Sequence, residues 1–318
     1  MIKKIILFSF FLFLSCSSKN LSSNLTLDSP MFFSEIIPET ELDSIGFLNR
    51  KHQIVVTDKK GKILSYSAMK GELKHSIERP NAFPNGVNII DDEYILITER
   101  DNHQVLVLDS SFNYIGRFGE GDLKSPYGIT SYQIEKNKHR VFVTDNFNEG
   151  VLSSERIIFW DIIISDENEI VISEGRIFGN TGLYEVESIV ADSYFNRLFV
   201  AEENTRGESK GSSIIVLDLE SGEEIMSEIN NFPFKNDAEG IALTGIKEGY
   251  IIFTEQSKED NKFHLFSRSN LSFYKTLFLE DVRYTDGIAT AFMHGEWYLY
   301  AIDDDKRVGA YKLPQFEN

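Results

Sequence analysis

Six short stretches hold the side chains best suited to chemistry. They are Asp43-Ser44-Ile45, Asn85-Gly86-Val87, Tyr127-Gly128-Ile129, Glu187-Ser188-Ile189, Glu239-Gly240-Ile241 and Asp286-Gly287-Ile288. Each reads as a polar, a small and a β-branched residue. The polar positions supply four carboxylates, one amide and one phenol. Two residues earlier stand Glu41, Phe83, Ser125, Glu185, Asp237 and Tyr284, three of them acidic. Two carboxylates about 4 Å apart repel by about 4 kcal/mol at an effective dielectric near 20, so bringing these positions together calls for protonation or a bound cation. Oxygen donors at adaptable spacing suit Ca²⁺, which accepts six to eight oxygens. Asp43, Glu187, Asp237, Glu239 and Asp286, with Asp304 of a later acidic pair, are therefore candidate calcium ligands. The plainer alternative is that these acids only solvate a water-filled channel.

The elements that must position them are short strands. Long amphipathic stretches are missing, and β-branched or aromatic runs recur between Gly, Asn, Asp and Ser, among them Gln53–Val56, Tyr94–Ile97, Arg140–Val143 and Tyr250–Phe253. Each such run ends in a polar pair: Thr57-Asp58, Thr98-Glu99, Thr144-Asp145, Glu202-Glu203, Thr254-Glu255 or Asp303-Asp304. From Asp43 to Asn85 and from Asn85 to Tyr127 the step is the same 42 residues, and later steps are somewhat longer. A repeat of roughly 40–50 residues carrying four strands is a propeller blade. The prediction is an all-β, six-bladed β-propeller with four antiparallel strands per blade, the last completed by a strand near Met31–Ile37. In such a fold the first strand of every blade lines the axial channel, so the six polar positions form a ring at one mouth. Lys59, Lys60 and Arg100 follow the first two acidic pairs and belong near the same mouth. Cations beside a bound metal are what a phosphate group requires.

The ends of the chain carry a different message. Lys3 and Lys4 precede an apolar run, Ile5 to Leu14, too short to span a bilayer and suited to a signal peptide. Leu14-Ser15-Cys16 resembles the cleavage and lipidation site of bacterial lipoproteins. Residues 1–15 are thus expected to be removed, Cys16 to carry lipid, 16–29 to serve as a Ser/Asn-rich tether, and 30–318 to form the propeller. The expected location is the cell envelope, anchored in a bacterial membrane, most simply the outer one. Cys16 is the single cysteine, so disulfides and thiolate metal clusters are excluded. The net charge of −18 becomes −20 once Lys3 and Lys4 are removed. Such a charge repels nucleic acid and anionic lipid at long range, and disfavours nucleic acid as a partner. An anionic substrate would need a cation in between. A monomer is expected.

The ordered motifs resemble the β-propeller phytases, the alkaline, calcium-dependent family. The clearest stretch is Val186-Glu187-Ser188-Ile189-Val190-Ala191-Asp192, followed by Arg197-Leu198-Phe199-Val200-Ala201-Glu202-Glu203. Asp237-Ala238-Glu239-Gly240-Ile241, Thr285-Asp286-Gly287-Ile288, Ser125-Pro126-Tyr127-Gly128, Thr57-Asp58-Lys59-Lys60-Gly61 and Pro84-Asn85-Gly86-Val87 match further family elements in order, over about Asp43 to Tyr311. The resemblance implies calcium-dependent hydrolysis of phosphomonoesters, inositol phosphates above all. It also implies metal-binding or water-orienting roles for Glu187, Asp237, Glu239 and Asp286, a site role for Tyr127, and phosphate binding by Lys59, Lys60 and Arg100. Departures fall at Glu41-Leu42-Asp43, where one acid of a pair is lost, and at Ser125, where the family has an acid. Tyr94–Gly119 also looks like an NHL repeat, which implies a non-catalytic binding propeller as the alternative. A calcium-dependent lactonase is the third reading. No G-x-x-x-x-G-K-[ST] loop is present, and the six His show no metal-binding spacing.

Overall fold

A computed structural model describes residues 24–147, 150–165, 169–203, 212–259 and 261–315. Six sheets follow one another along the chain. Blade 1 is built from Leu42–Leu48, Gln53–Asp58, Lys62–Ser67 and Leu73–Glu78, all antiparallel. Blade 2 repeats this from Pro84–Ile90 to Tyr114–Phe118. Blade 3 runs from Pro126–Glu135 and divides its outer strand into Ile170–Ile172 and Arg176–Ile177. Blade 4 has three strands, Val186–Asp192, Arg197–Glu202 and Ser213–Asp218, with a lone bridge from Leu217 to Glu224 where a fourth would lie. Blade 5 starts at Asp237–Leu243 and blade 6 at Ile288–Met293. Among the described residues the helical content is one short 3₁₀ turn, Ile229–Asn231. The six-bladed prediction is borne out.

Closure uses the N-terminal side of the chain twice. Phe32–Phe33 pairs with Arg307–Lys312 and becomes the fourth strand of blade 6. Asn24–Leu27 adds a fifth, parallel strand to blade 5 against Phe273–Leu279. Four residues of the segment read as a tether are therefore ordered strand. The pattern was hidden because Asn24-Leu25-Thr26-Leu27 follows a long Ser/Asn stretch and is too short to show a period. Cys16 lies outside the described residues.

Packing explains why the inner strands read as apolar runs. The second strand of blade 1 is buried from Ile54 to Asp58, because neighbouring blades cover both of its faces, whereas the outer strand Leu73–Glu78 is mostly exposed. Six apolar clusters fill the spaces between successive blades, and the one joining Leu64 and Tyr66 of blade 1 to Tyr300 and Ala310 of blade 6 completes the circle. The six first strands enclose an axial cavity of about 260 Å³ lined from Ser44 round to Gly287.

The repeating signature has a backbone cause. A Cβ on Gly86 would come 2.4 Å from the carbonyl oxygen of Tyr127, one on Gly128 2.4 Å from that of Glu187, and one on Gly287 2.4 Å from that of Asp43. Each small residue thus lets the next blade's ring residue approach. A threonine locks the contact. The Thr98 hydroxyl accepts from Gly86 N–H at 2.8 Å and donates to Tyr127 C=O at 2.5 Å. Thr144 does the same between Gly128 N–H, at 2.7 Å, and Glu187 C=O, at 2.9 Å. Thr57 links Ser44 N–H to Asn85 C=O. The acid after the threonine holds the chain entering the first strand: Asp58 accepts from Glu41 N–H at 2.8 Å and Asp145 from Lys124 N–H at 3.0 Å. Most of the acidic pairs are therefore scaffold, and they fix the height of the ring.

Candidate functional site

The ring lies immediately above the axial cavity, and its two halves differ. On one side Lys59 reaches inward, its side chain 15% exposed, with Nζ 2.8 Å from Asp43 Oδ1 and 3.1 Å from Asp286 Oδ2. Burial alone would lower the Lys59 pKa, but Asp43 and Asp286 outweigh it and hold the ammonium charged. Tyr127 donates its hydroxyl to Asp43 Oδ1 at 3.1 Å. Gln256 donates its amide to Asp286 Oδ1. Burial raises Asp286 to about 7, with Lys59 opposing and Asp43 adding to the rise.

On the other side Glu187 and Glu239 form no ion pair among the described residues. Glu185, Glu187 and Glu203 each offer an oxygen within 4.8 Å of the others. Glu187 is 4% exposed, accepts from Asn146 Nδ2 at 3.3 Å, and leaves Oε2 buried with no partner among the described residues. Its pKa is pushed well above the usual carboxylate range, first by burial and then by Glu203 and Asp43. Glu239 is pushed up likewise, by burial and then by Glu187 and Asp286. Asn85, at the ring position of blade 2, is wholly buried with both amide atoms unpartnered among the described residues. An unmade hydrogen bond at a buried polar atom costs about 1–3 kcal/mol, so both Glu187 and Asn85 carry an uncompensated polar cost at the mouth.

The other sequence-predicted residues are dispersed. Asp237 accepts a 3.3 Å hydrogen bond from Ser212. Asp304 is an exposed turn residue paired with Lys306, and its neighbour Asp305 faces the ring electrostatically instead, raised to about 6 chiefly by burial. Lys60 stays at the rim beside Glu41, both largely exposed. The Arg100 guanidinium lies 5.5 Å from the Phe83 ring centroid. Sequence reasoning missed Asn146, Glu203 and Gln256 as site residues. They occupy the position directly after each blade's conserved-height acid, as Lys59 and Arg100 do, and that register was the signal that would have found them.

Solved structures share this architecture. The chain is similar to a nidogen/laminin complex structure, at 14% identity over 82% of this chain and 92% of that one with a TM-score of 0.56. It is similar to a streptogramin B lyase, at 17% identity over 89% and 87% with a TM-score of 0.53. It also matches virginiamycin B lyase from Staphylococcus aureus, at 16% identity over 90% and 89% with a TM-score of 0.51. The likeness is one of fold. No family model and no curated protein matches the chain. The propeller neighbours thus include proteins named as enzymes and one named as a partner in a complex, so the site itself must carry the functional reading.

Proposed function

We propose that the mouth is the divalent-cation site of a calcium-dependent phosphomonoester hydrolase acting on inositol phosphates or similar multiply phosphorylated compounds. The supporting observation is the convergence of Glu185, Glu187 and Glu203, with a Glu187 oxygen buried and without a partner among the described residues. An oxygen-only donor set whose members lie within 4.8 Å fits Ca²⁺, whose bonds to oxygen are about 2.3–2.6 Å. Glu239, on the adjoining blade and raised in pKa by burial and then by Glu187, Asp286 and Glu203, is the ring position able to complete it. Calcium bound there would supply the counter-charge that lets a phosphate dianion approach and would polarise its oxygens.

The chain's own residues would do the rest. Lys59 fixes Asp43 and Asp286 and keeps their charge from opposing the substrate. Asp286, with a pKa near 7, is the group able to exchange a proton with water or a leaving oxygen at neutral pH. Gln256 orients that carboxyl, and Tyr127 orients Asp43. Lys60 and Arg100 at the rim would meet the outer phosphates of a larger substrate. The test is phosphate release from phytate and from a simple ester, with calcium and with chelator. Release that requires calcium and is lost in Asp286→Asn supports the reading. Calcium binding without release from either substrate overturns it and leaves a binding propeller.

A further inference from the structure

The face opposite the mouth is divided in two. Each blade ends there in a hairpin between its first and second strands. In blades 1, 2 and 3 these hairpins expose charge: Arg50 and Lys51, Asp91 and Glu93, Glu135 and Lys136. In blades 4, 5 and 6 they expose Tyr194 at 49%, Ile246 at 70% and Phe292 at 53%. Three large apolar side chains, two in the hairpin turn and one in the strand beside it, form an arc over three successive blades. Lys247 Nζ lies 5.8 Å from the Tyr194 ring and joins the first two hairpins. Phe292 packs on Trp297 at 5.3 Å. A cleft of about 380 Å³ separates the last two hairpins, between Gly245 and Tyr250 on one side and Phe292 and Trp297 on the other. Glu296 in the same arc pairs with Lys312 at 3.0 Å, and Glu248 is exposed.

The chain itself indicates what covers this arc. Asn24–Leu27 runs parallel to Phe273–Leu279, so its Asn24 end lies toward the turn that precedes Phe273. That turn belongs to the face opposite the mouth. Arg268 N–H bonds Gly249 C=O, and its guanidinium holds Asp192 through two 2.8 Å hydrogen bonds, so the turn is tied to the blade 5 and blade 4 hairpins. The segment preceding Asn24 therefore departs beside blade 5, the middle of the apolar arc. Cys16 lies within a few tens of ångström of that point, since extended chain spans at most about 3.5 Å per residue.

We infer that the hairpins of blades 4, 5 and 6 rest on a phospholipid bilayer, with the mouth turned to solvent. This rests on the lipid anchor expected at Cys16 and is independent of the proposed hydrolysis. Tyr and Trp favour the bilayer interface, where an apolar ring and a polar edge are both accommodated. Lys247 is placed to meet lipid headgroups.

The lipidated full-length protein, reconstituted in phosphatidylethanolamine–phosphatidylglycerol vesicles, tests this. Single thiols introduced as Ile246→Cys, Asp92→Cys and Leu152→Cys carry an environment-sensitive fluorophore. The label at 246 should be quenched several-fold more by brominated lipid than those at 92 and 152, which aqueous iodide should quench instead. Equal iodide quenching at 246 and 152 in vesicle-bound protein overturns the orientation. Protein that fails to float with vesicles overturns the anchor and the docking face with it.

Discussion

The two halves of the ring use the same repeat position to opposite ends. Around Lys59 the charges close on themselves: one ammonium holds Asp43 and Asp286, Tyr127 donates to the same Asp43 oxygen, and Gln256 donates to the second oxygen of Asp286. Around Glu187 three carboxylates lie in reach of one another, and Glu187 Oε2 is buried without a partner among the described residues. Acidity alone therefore does not mark a cation site. A buried carboxylate oxygen without a partner, as on the proposed site's Glu187, is the distinguishing feature, and Lys59 shows how compensation looks when it is present.

Removing the internal cation should have the largest effect. Lys59→Met leaves Asp43 and Asp286 buried together, and breaking such a pair costs about 3–5 kcal/mol. A large fall in Tm is expected at pH 8, smaller at pH 5 where Asp286 is protonated. A Tm unchanged at pH 8 would show that the closed half is not closed by Lys59. Next comes the open half. Calcium at about 100 times its Kd should stabilise the protein by about 2.7 kcal/mol, because only the folded chain holds the site. Glu187→Gln with Glu239→Gln should abolish that gain and raise the Tm of the metal-free form by relieving repulsion. A wild-type Tm indifferent to calcium would favour the water-filled channel.

The third expectation concerns pH. Folded Asp286 holds its proton up to about pH 7, whereas an unfolded aspartate releases it near 3.8. Between these values the folded chain binds more protons, so this group's contribution to stability is full below about 4 and is lost as pH rises through 7. Asp286→Asn should remove that slope, giving a Tm advantage over wild type that grows from pH 4 to pH 7 in chelator. Parallel curves would contradict the raised pKa. A smaller effect belongs to the scaffold: Thr144→Val unpairs Gly128 N–H and Glu187 C=O and should cost about 1–3 kcal/mol by denaturant unfolding. Smallest of all, Lys60→Ala should leave Tm unchanged, since Lys60 and Glu41 are solvent-exposed, and should raise KM for multiply phosphorylated substrates only.

The repeat was legible because the backbone demands it. Gly86 or Gly128 cannot carry a larger side chain beneath the next blade's carbonyl, and Thr98 or Thr144 must sit opposite, so the signature survives in every blade that uses the lock. The ring positions followed from that register. Which charges pair did not, because it depends on which side chains reach across the channel. Lys59 and Lys60 are adjacent in sequence, yet one is buried between two carboxylates and the other lies at the rim. Ala201 and Ile302 stand where other blades have threonine, so in blades 4 and 6 the following acids lost the cue that set scaffold apart from site. Glu203 was hidden in this way.

The N-terminal strands have a mechanical consequence. The chain crosses from blade 5 at Asn24–Leu27 to blade 6 at Phe32–Phe33 before blade 1 begins, and Arg307 lies 3.6 Å over the Phe33 ring at that crossing. A pull arriving from the N-terminal side acts along Asn24–Leu27, parallel to its partner strand, so its hydrogen bonds are loaded together in shear rather than opened one at a time. The blade 6 closure lies behind that strand in the line of force. Tension from a surface would be spent on the fifth strand of blade 5 while the ring that shapes the mouth stays shut.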